Sequence, residues 1–281
     1  MFSYFPFYWD PDPVAFTIPF LNLPIFVYGI CFVIGFFLGY TILVRLMRQS
    51  LGSKELAQEC VDKLTWFVVI GTVVGARLGH VLFYDWERYK HNLLGILNTR
   101  EGGLSSHGGT IGVLIALGLF YHLWFKKKTK LNFLELLDRM GIATAMTATF
   151  IRIGNFFNQE IIGTPTNLPW AVVFGHPADG EPAVPRHPAQ LYEALLYLAT
   201  FFVLLFLWKR TDVRKKPGFL IGLFFVLVFG GRFLIEFVKS IQESIFDQTF
   251  LQAGQWLSLP FVLAGLLLIL QSCIHAKRKT T

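Results

Sequence analysis

Long runs of apolar residues alternate along the chain with short stretches that hold most of the charge. The runs cover about 25–43, 64–84, 104–125, 131–157, 189–208, 218–238 and 255–273, each close to the roughly 20 residues a helix needs to cross a bilayer. The pattern predicts an all-α polytopic membrane protein with about seven transmembrane helices in a single membrane domain spanning residues 1–281. Residues 158–188 break the pattern. Pro165, Pro169, Pro177, Pro182, Pro185 and Pro188 rule out a long helix there. This stretch predicts a small extracytoplasmic cap of turns and short strands, inserted between segments four and five and holding Trp170 and Phe174. Residues 1–25 are aromatic and proline-rich, with Asp10 and Asp12 as their only charges. Gly71, Gly75 and Gly79 recur every four residues in segment two, the spacing that lets two helices approach closely. No convincing internal repeat is present.

Composition agrees with the pattern. Of 281 residues, 54% are hydrophobic and only 15% charged, with a mean hydropathy of +0.52; soluble domains carry about 25% charge. A net charge of +7 would suggest nucleic acid in a soluble protein. Here the basic residues sit between apolar runs, at Arg45, Arg48, Lys54 and Lys63, at Lys126-Lys127-Lys128, at Lys209, Arg210, Lys215 and Lys216, and at Lys277-Arg278-Lys279. The first of these groups predicts a loop after segment one. The positive-inside rule places all four groups in the cytoplasm, with the N-terminus outside, and no nucleic-acid partner is expected. Cys31, Cys60 and Cys273 show neither a disulfide framework nor a metal-ligand spacing, so no metal and no cofactor are expected. No Lys or Arg precedes Arg45, so the basic start of a signal peptide is missing.

The informative residues are the polar ones inside the apolar runs. Segment four ends in Arg152-Ile-Gly-Asn155-Phe-Phe-Asn158-Gln-Glu160, followed by Gly163. An arginine at a bilayer centre costs about 2.5–3.5 kcal/mol on insertion scales, against about 0.3–0.6 kcal/mol gained per leucine. Segment six runs outward, with Arg232 roughly 20 Å along it and Glu236 one turn later. Tyr28 and His107 lie near the outer starts of segments one and three, and Arg186, His187 and Glu193 at the outer start of segment five. Polar residues from five segments thus share the level of the outer leaflet. Arg152 and Arg232 suit a clamp on a phosphate. Asn155 and Asn158 suit ester or hydroxyl oxygens, and His107, in a glycine-flanked turn, suits proton transfer. Plainer readings stand beside these. Arg232 and Glu236 can simply pair at i, i+4, Arg77 and His80 can be interfacial anchors, Tyr28 can belong to an aromatic belt, and a lone histidine is often structural.

At these residues the chain resembles the prolipoprotein diacylglyceryl transferase family of bacterial inner-membrane enzymes. Its most specific part is Arg152-Ile-Gly-Asn155-Phe-Phe-Asn158-Gln-Glu160-Ile-Ile-Gly163. Supporting pieces are Tyr28-Gly29, Gly75-Ala-Arg77, Ser106-His107-Gly108-Gly109, Arg186-His-Pro-Ala-Gln-Leu-Tyr-Glu193, Gly231-Arg232 through Glu236-Phe237, and Gly254-Gln-Trp-Leu-Ser258. The chain departs from the family pattern at Gln159, at Val228, and after Asp138, where Arg139-Met140-Gly141 follow. The resemblance implies transfer of the diacylglyceryl group of phosphatidylglycerol to the lipobox cysteine thiol of a prolipoprotein signal sequence. The products would be a thioether and glycerol phosphate. It also implies Arg152 and Arg232 on the departing phosphate, and Tyr28, Asn155, Asn158, Gly163, Arg77 and Arg186 in substrate binding. The thiol proton would go to His107 first, with Glu160 or Glu236 as the alternatives. One rival reading is an anion or lipid transporter or channel, favoured by Glu135, Asp138 and Arg139 toward the inner end of segment four. Another is a non-enzymatic assembly factor that binds exported proteins through residues 158–188.

Overall fold

The computed structural model describes residues 6–91, 95–96, 103–240 and 251–278. Lys279, named above, lies outside them. The chain divides into two compact units, one of residues 1–43 and 134–281, the other of residues 44–133. Helix dominates both. Six helical stretches are long and apolar enough to cross a membrane by length and composition: Val27–Leu51 (α1), Lys54–Phe83 (α2), Ser106–Lys128, Ala189–Arg210 (α7), Phe219–Glu236 (α8) and Ala253–His275. Segment four also forms a helix, Phe133–Phe157 (α6). It is not among the six, because Glu135, Asp138, Arg139, Arg152 and Asn155 dilute its apolar content.

The first unit adds strands to the expected all-helical plan. Val14–Ile18 (β2) and Leu23–Phe26 (β3) form an antiparallel hairpin leading into α1. Phe7–Trp9 (β1) runs parallel to Val172–Phe174 (β4), which pairs antiparallel with Pro185–Arg186 (β5). The sheet closes over a small apolar core of Phe156, Ile162, Val172 and Phe174, with Trp9 and Leu191 packed against it. Trp9 stacks on Phe156 and donates its Nε1–H to the Phe156 carbonyl at 3.1 Å, which seats the N-terminal strand at the end of α6.

Within this unit, α8 packs on the C-terminal helix Ala253–Arg278 (α9) through Gly222 and Gly265. The inner-end charges of α6 have structural partners. Asp138 accepts the Gly218 and Ile221 backbone N–H groups, both at 2.8 Å, and so satisfies orphan donors at the start of α8. Arg139 lies over the Trp208 ring, 4.9 Å from its centre, and donates to the Glu135 carbonyl. The residues that favoured a conduit across the membrane are engaged in capping and stacking.

In the second unit, α2 meets Ser106–Phe120 (α4) along a stripe of small residues. A Cβ on Gly75 would lie 2.5 Å from the Gly108 carbonyl oxygen and 2.7 Å from the Gly112 Cα, so the two backbones touch only because both sides are glycine. A π-helical turn at Tyr121–Phe125 and the short helix Lys126–Lys128 (α5) end the segment. The basic stretch expected as a loop after segment one is mostly helix. Helix α1 continues through Arg45 and Arg48, and α2 begins at Lys54, capped by Ser53, whose hydroxyl accepts the Leu56 N–H at 3.1 Å. Only Gly52 and Ser53 separate the two helices, because long basic side chains tolerate a helix end at a membrane surface.

Candidate active site

Helix α6 delivers the centre of the site. Its last turns carry Arg152 and Asn155 on one face, since residues three apart are neighbours. The Arg152 Nη1 donates to Asn155 Oδ1 at 3.0 Å. Asn155 then donates to Glu160 Oε1 at 2.6 Å, and Asn158 reaches the same oxygen at 3.4 Å. This return path exists because the chain reverses after Phe157 through Gln159 and Ile161, whose φ values of 51° and 58° lie in the left-handed region. Such backbone strain is held only where surroundings over-determine it. Gln159 is clamped by Asp10, which accepts its Nε2–H at 3.0 Å, and by the His176 N–H donating to Gln159 Oε1 at 2.8 Å. His176 Nδ1 also contacts Asp10 at 2.7 Å. The hydrogen bond from His176, then the one from Gln159, hold the Asp10 carboxyl below its ordinary pKa. The Glu160 carbonyl accepts from the fully buried Gln190 at 2.7 Å.

Helix α7 supplies the anion that faces Arg152. Glu193 is 0% exposed, and its Oε2 lies 2.7 Å from Arg152 Nε. Its Oε1 lies 2.8 Å from Lys239 Nζ, and Lys239 in turn lies 3.2 Å from Glu236 Oε2. Signs alternate along the chain Arg152, Glu193, Lys239, Glu236, so the four charges balance. Glu236 packs against Gly254 in the first turn of α9. Arg232, half-buried one turn before Glu236, makes no hydrogen bond or ion pair with any described residue. Among the described residues of this cluster, it is the cation without a counter-charge. Tyr197, buried one turn after Glu193, feels the charges of both Arg152 and Arg232. Tyr28 packs its ring on Gly154 and lies within electrostatic reach of Arg152 and Glu160. Arg152, ion-paired, and Arg232, without an ion pair among the described residues, therefore both act electrostatically on one buried phenol, with amide groups and carboxylates beside Arg152. That arrangement suits a phosphodiester whose charge grows as a carbon–oxygen bond breaks.

A sequence model of the family described as prolipoprotein diacylglyceryl transferase matches residues 13–271. The chain belongs to the prolipoprotein diacylglyceryl transferase family. Members with high similarity are phosphatidylglycerol–prolipoprotein diacylglyceryl transferases. That of Tolumonas auensis is 46% identical, over 96% of this chain and 99% of that protein. That of Porphyromonas gingivalis is 41% identical, over 94% of each. That of Protochlamydia amoebophila is 39% identical, over 93% of this chain and 94% of that protein. As a member of the family, the chain is a diacylglyceryl transferase and a multi-pass membrane protein.

Of the candidate site residues, Tyr28, Arg152, Asn155, Asn158, Glu160, Arg232 and Glu236 all lie in the first unit. The helical pairing of Arg232 with Glu236 is not found, because Lys239 takes Glu236. Gly163 is enclosed. Its N–H donates to the His187 carbonyl at 3.0 Å, and a Cβ there would sit 2.6 Å from the His187 and Val238 carbonyl oxygens. Arg186 is 3% exposed and donates from Nη1 to the Gly163 carbonyl and Ser240 Oγ and from Nη2 to Glu181, while its Nε is buried with no hydrogen-bond partner among the described residues. Burial lowers the pKa of His187, whose Nδ1 lies 3.1 Å from the Tyr192 hydroxyl. Arg77 and His107 belong to the second unit. Arg77 is 4% exposed, donates to the Gly95, Ile96 and Gly103 carbonyls and lies over Tyr89, so it organises its own connection. His107 is exposed on the first turn of α4. Sequence reasoning missed Lys239, Tyr197 and Gln190. Only Gln190 carried a signal, as a member of the Gln-Leu-Tyr-Glu motif.

Proposed function

We propose that the chain moves the diacylglyceryl group of phosphatidylglycerol onto the lipobox cysteine of a prolipoprotein signal sequence, with Arg152 and Arg232 holding the phosphate that leaves. The thiolate sulfur attacks the glyceryl carbon that carries the phosphate ester. A carbon–sulfur bond forms, the carbon–oxygen bond breaks, and glycerol phosphate departs with the oxygen and the electron pair. The thiol proton passes to a base, with His107, Glu160 and Glu236 as candidates, since a thiol near pKa 8.5 is mostly protonated at neutral pH. Tyr28, Asn155, Asn158 and Gly163 shape the pocket for the headgroup, with Arg186 supporting its walls. The site faces the periplasmic leaflet of the inner membrane. The chain crosses seven times with its N-terminus outside and its C-terminus in the cytoplasm, and residues 158–188 form a periplasmic cap.

The observation that carries this reading is that Arg232 has no ion pair or hydrogen bond among the described residues, lies in the same unit as the ion-paired Arg152 and is within electrostatic reach of the same Tyr197. Family membership supports the reaction class. Purified protein mixed with phosphatidylglycerol and a lipobox peptide should give a lipidated peptide and one equivalent of glycerol phosphate. Phosphatidylglycerol that crosses a vesicle bilayer without peptide modification would oppose the reading.

A further inference from the structure

We infer that Glu193 is a positioning residue that sets the plane of the Arg152 guanidinium toward the departing phosphate, an inference that rests on the transferase reading. Glu193 is 0% exposed and stands in the second turn of α7 among apolar neighbours, where an unpaired carboxylate would be strongly disfavoured. Its two oxygens are divided between two cations, Oε2 at 2.7 Å from Arg152 Nε and Oε1 at 2.8 Å from Lys239 Nζ. Lys239 holds Oε1 by a hydrogen bond, and Oε2 meets Arg152 as an ion pair, so the carboxylate is restrained at both oxygens. The Arg152 fork is held at a second nitrogen as well, because Nη1 donates to Asn155 Oδ1 at 3.0 Å. A guanidinium held by an ion pair at Nε, a hydrogen bond at Nη1 and the neighbouring Tyr197 hydroxyl is restrained in orientation before substrate arrives.

A merely structural role makes a different forecast. If Glu193 only neutralised two buried cations, removing the imbalance would restore both stability and rate. Three variants separate the cases. Glu193→Met strands Arg152 and Lys239, so unfolding temperature and kcat both fall. Glu193→Met with Lys239→Met removes one anion and one cation together, leaving Arg152 and Glu236 balanced in sign, and part of the unfolding temperature returns. Under the positioning role kcat stays down by roughly a hundredfold, the scale of a misplaced catalytic group. The KM for phosphatidylglycerol moves less than about threefold, because the fault lies in the transition state. Lys239→Met alone keeps the Arg152–Glu193 pair and loses less than about tenfold in kcat. Recovery of kcat together with stability in the double variant would overturn the inference. So would a Lys239→Met enzyme as slow as the double variant, since the Lys239–Glu236 arm would then carry the effect. An unsubstituted protein that lipidates no peptide would overturn the transferase reading, and the positioning role with it.

Discussion

Arg232 is the residue whose chemistry is least obscured by its neighbours. It has no ion-pair partner among the described residues, whereas Arg152 and Lys239 both do. Arg232→Ala should therefore leave the thermal unfolding temperature nearly unchanged, because no described buried partner is orphaned. The same change should lower kcat by about 10²–10³-fold, the loss expected for one transition-state donor. A large drop in unfolding temperature would mean that Arg232 is a structural cation after all. Asp10 makes a prediction of opposite kind. Its folded pKa lies below the unfolded value, so its contribution to stability is present above the ordinary carboxyl pKa and is lost as pH falls through the lower, folded value. Amide exchange in β1 should show no carboxyl-linked change between neutral pH and about pH 5, and should accelerate in acid below about pH 4. Asp10→Asn should remove that acid step. Its persistence would assign the step to another group.

At the scale of elements, the helices were readable because lipid forces long apolar runs. The site motif at the end of α6 was readable because polar residues there oppose that force. Strand β1 was not readable. Its partner β4 lies far along the chain, in the register Phe7↔Val172, and three-residue strands have too short a pattern to signal themselves. The continuation of α1 through Arg45 and Arg48 was hidden for another reason, since charge reads as loop until side-chain reach is considered. Lys239 was hidden because its meaning is tertiary: it lies just beyond α8 and acts on Glu193 of α7. Two element-level tests follow from packing. Gly75→Val should wedge α2 from α4, where a Cβ already meets the Gly108 carbonyl at 2.5 Å, and should cost about 1–3 kcal/mol in unfolding free energy. Asp138→Ala should uncap α8 at the Gly218 and Ile221 N–H groups and cost about 1–2 kcal/mol, with kcat lowered only as far as the folded fraction falls. A variant with normal stability in either case would remove that packing claim.

In the whole molecule, a membrane scaffold carries a charge arrangement that a bilayer would otherwise expel. Residues from α1, α6, α7 and α8, together with Lys239, meet in one unit around Tyr197 and Glu193, and the balanced chain of four charges leaves Arg232 to meet an anion. The central claim is that Arg152 and Arg232 act together on one phosphate. The most direct measurement is the rate of lipobox-peptide lipidation by Arg152→Ala, Arg232→Ala and the double variant, each corrected for folded protein. Groups that act as a unit are strongly non-additive. Each single change should cost nearly as much as both together, with the double variant within about tenfold of the slower single. Two single variants that both keep near-normal rates, or losses that simply multiply in the double variant, would contradict the claim.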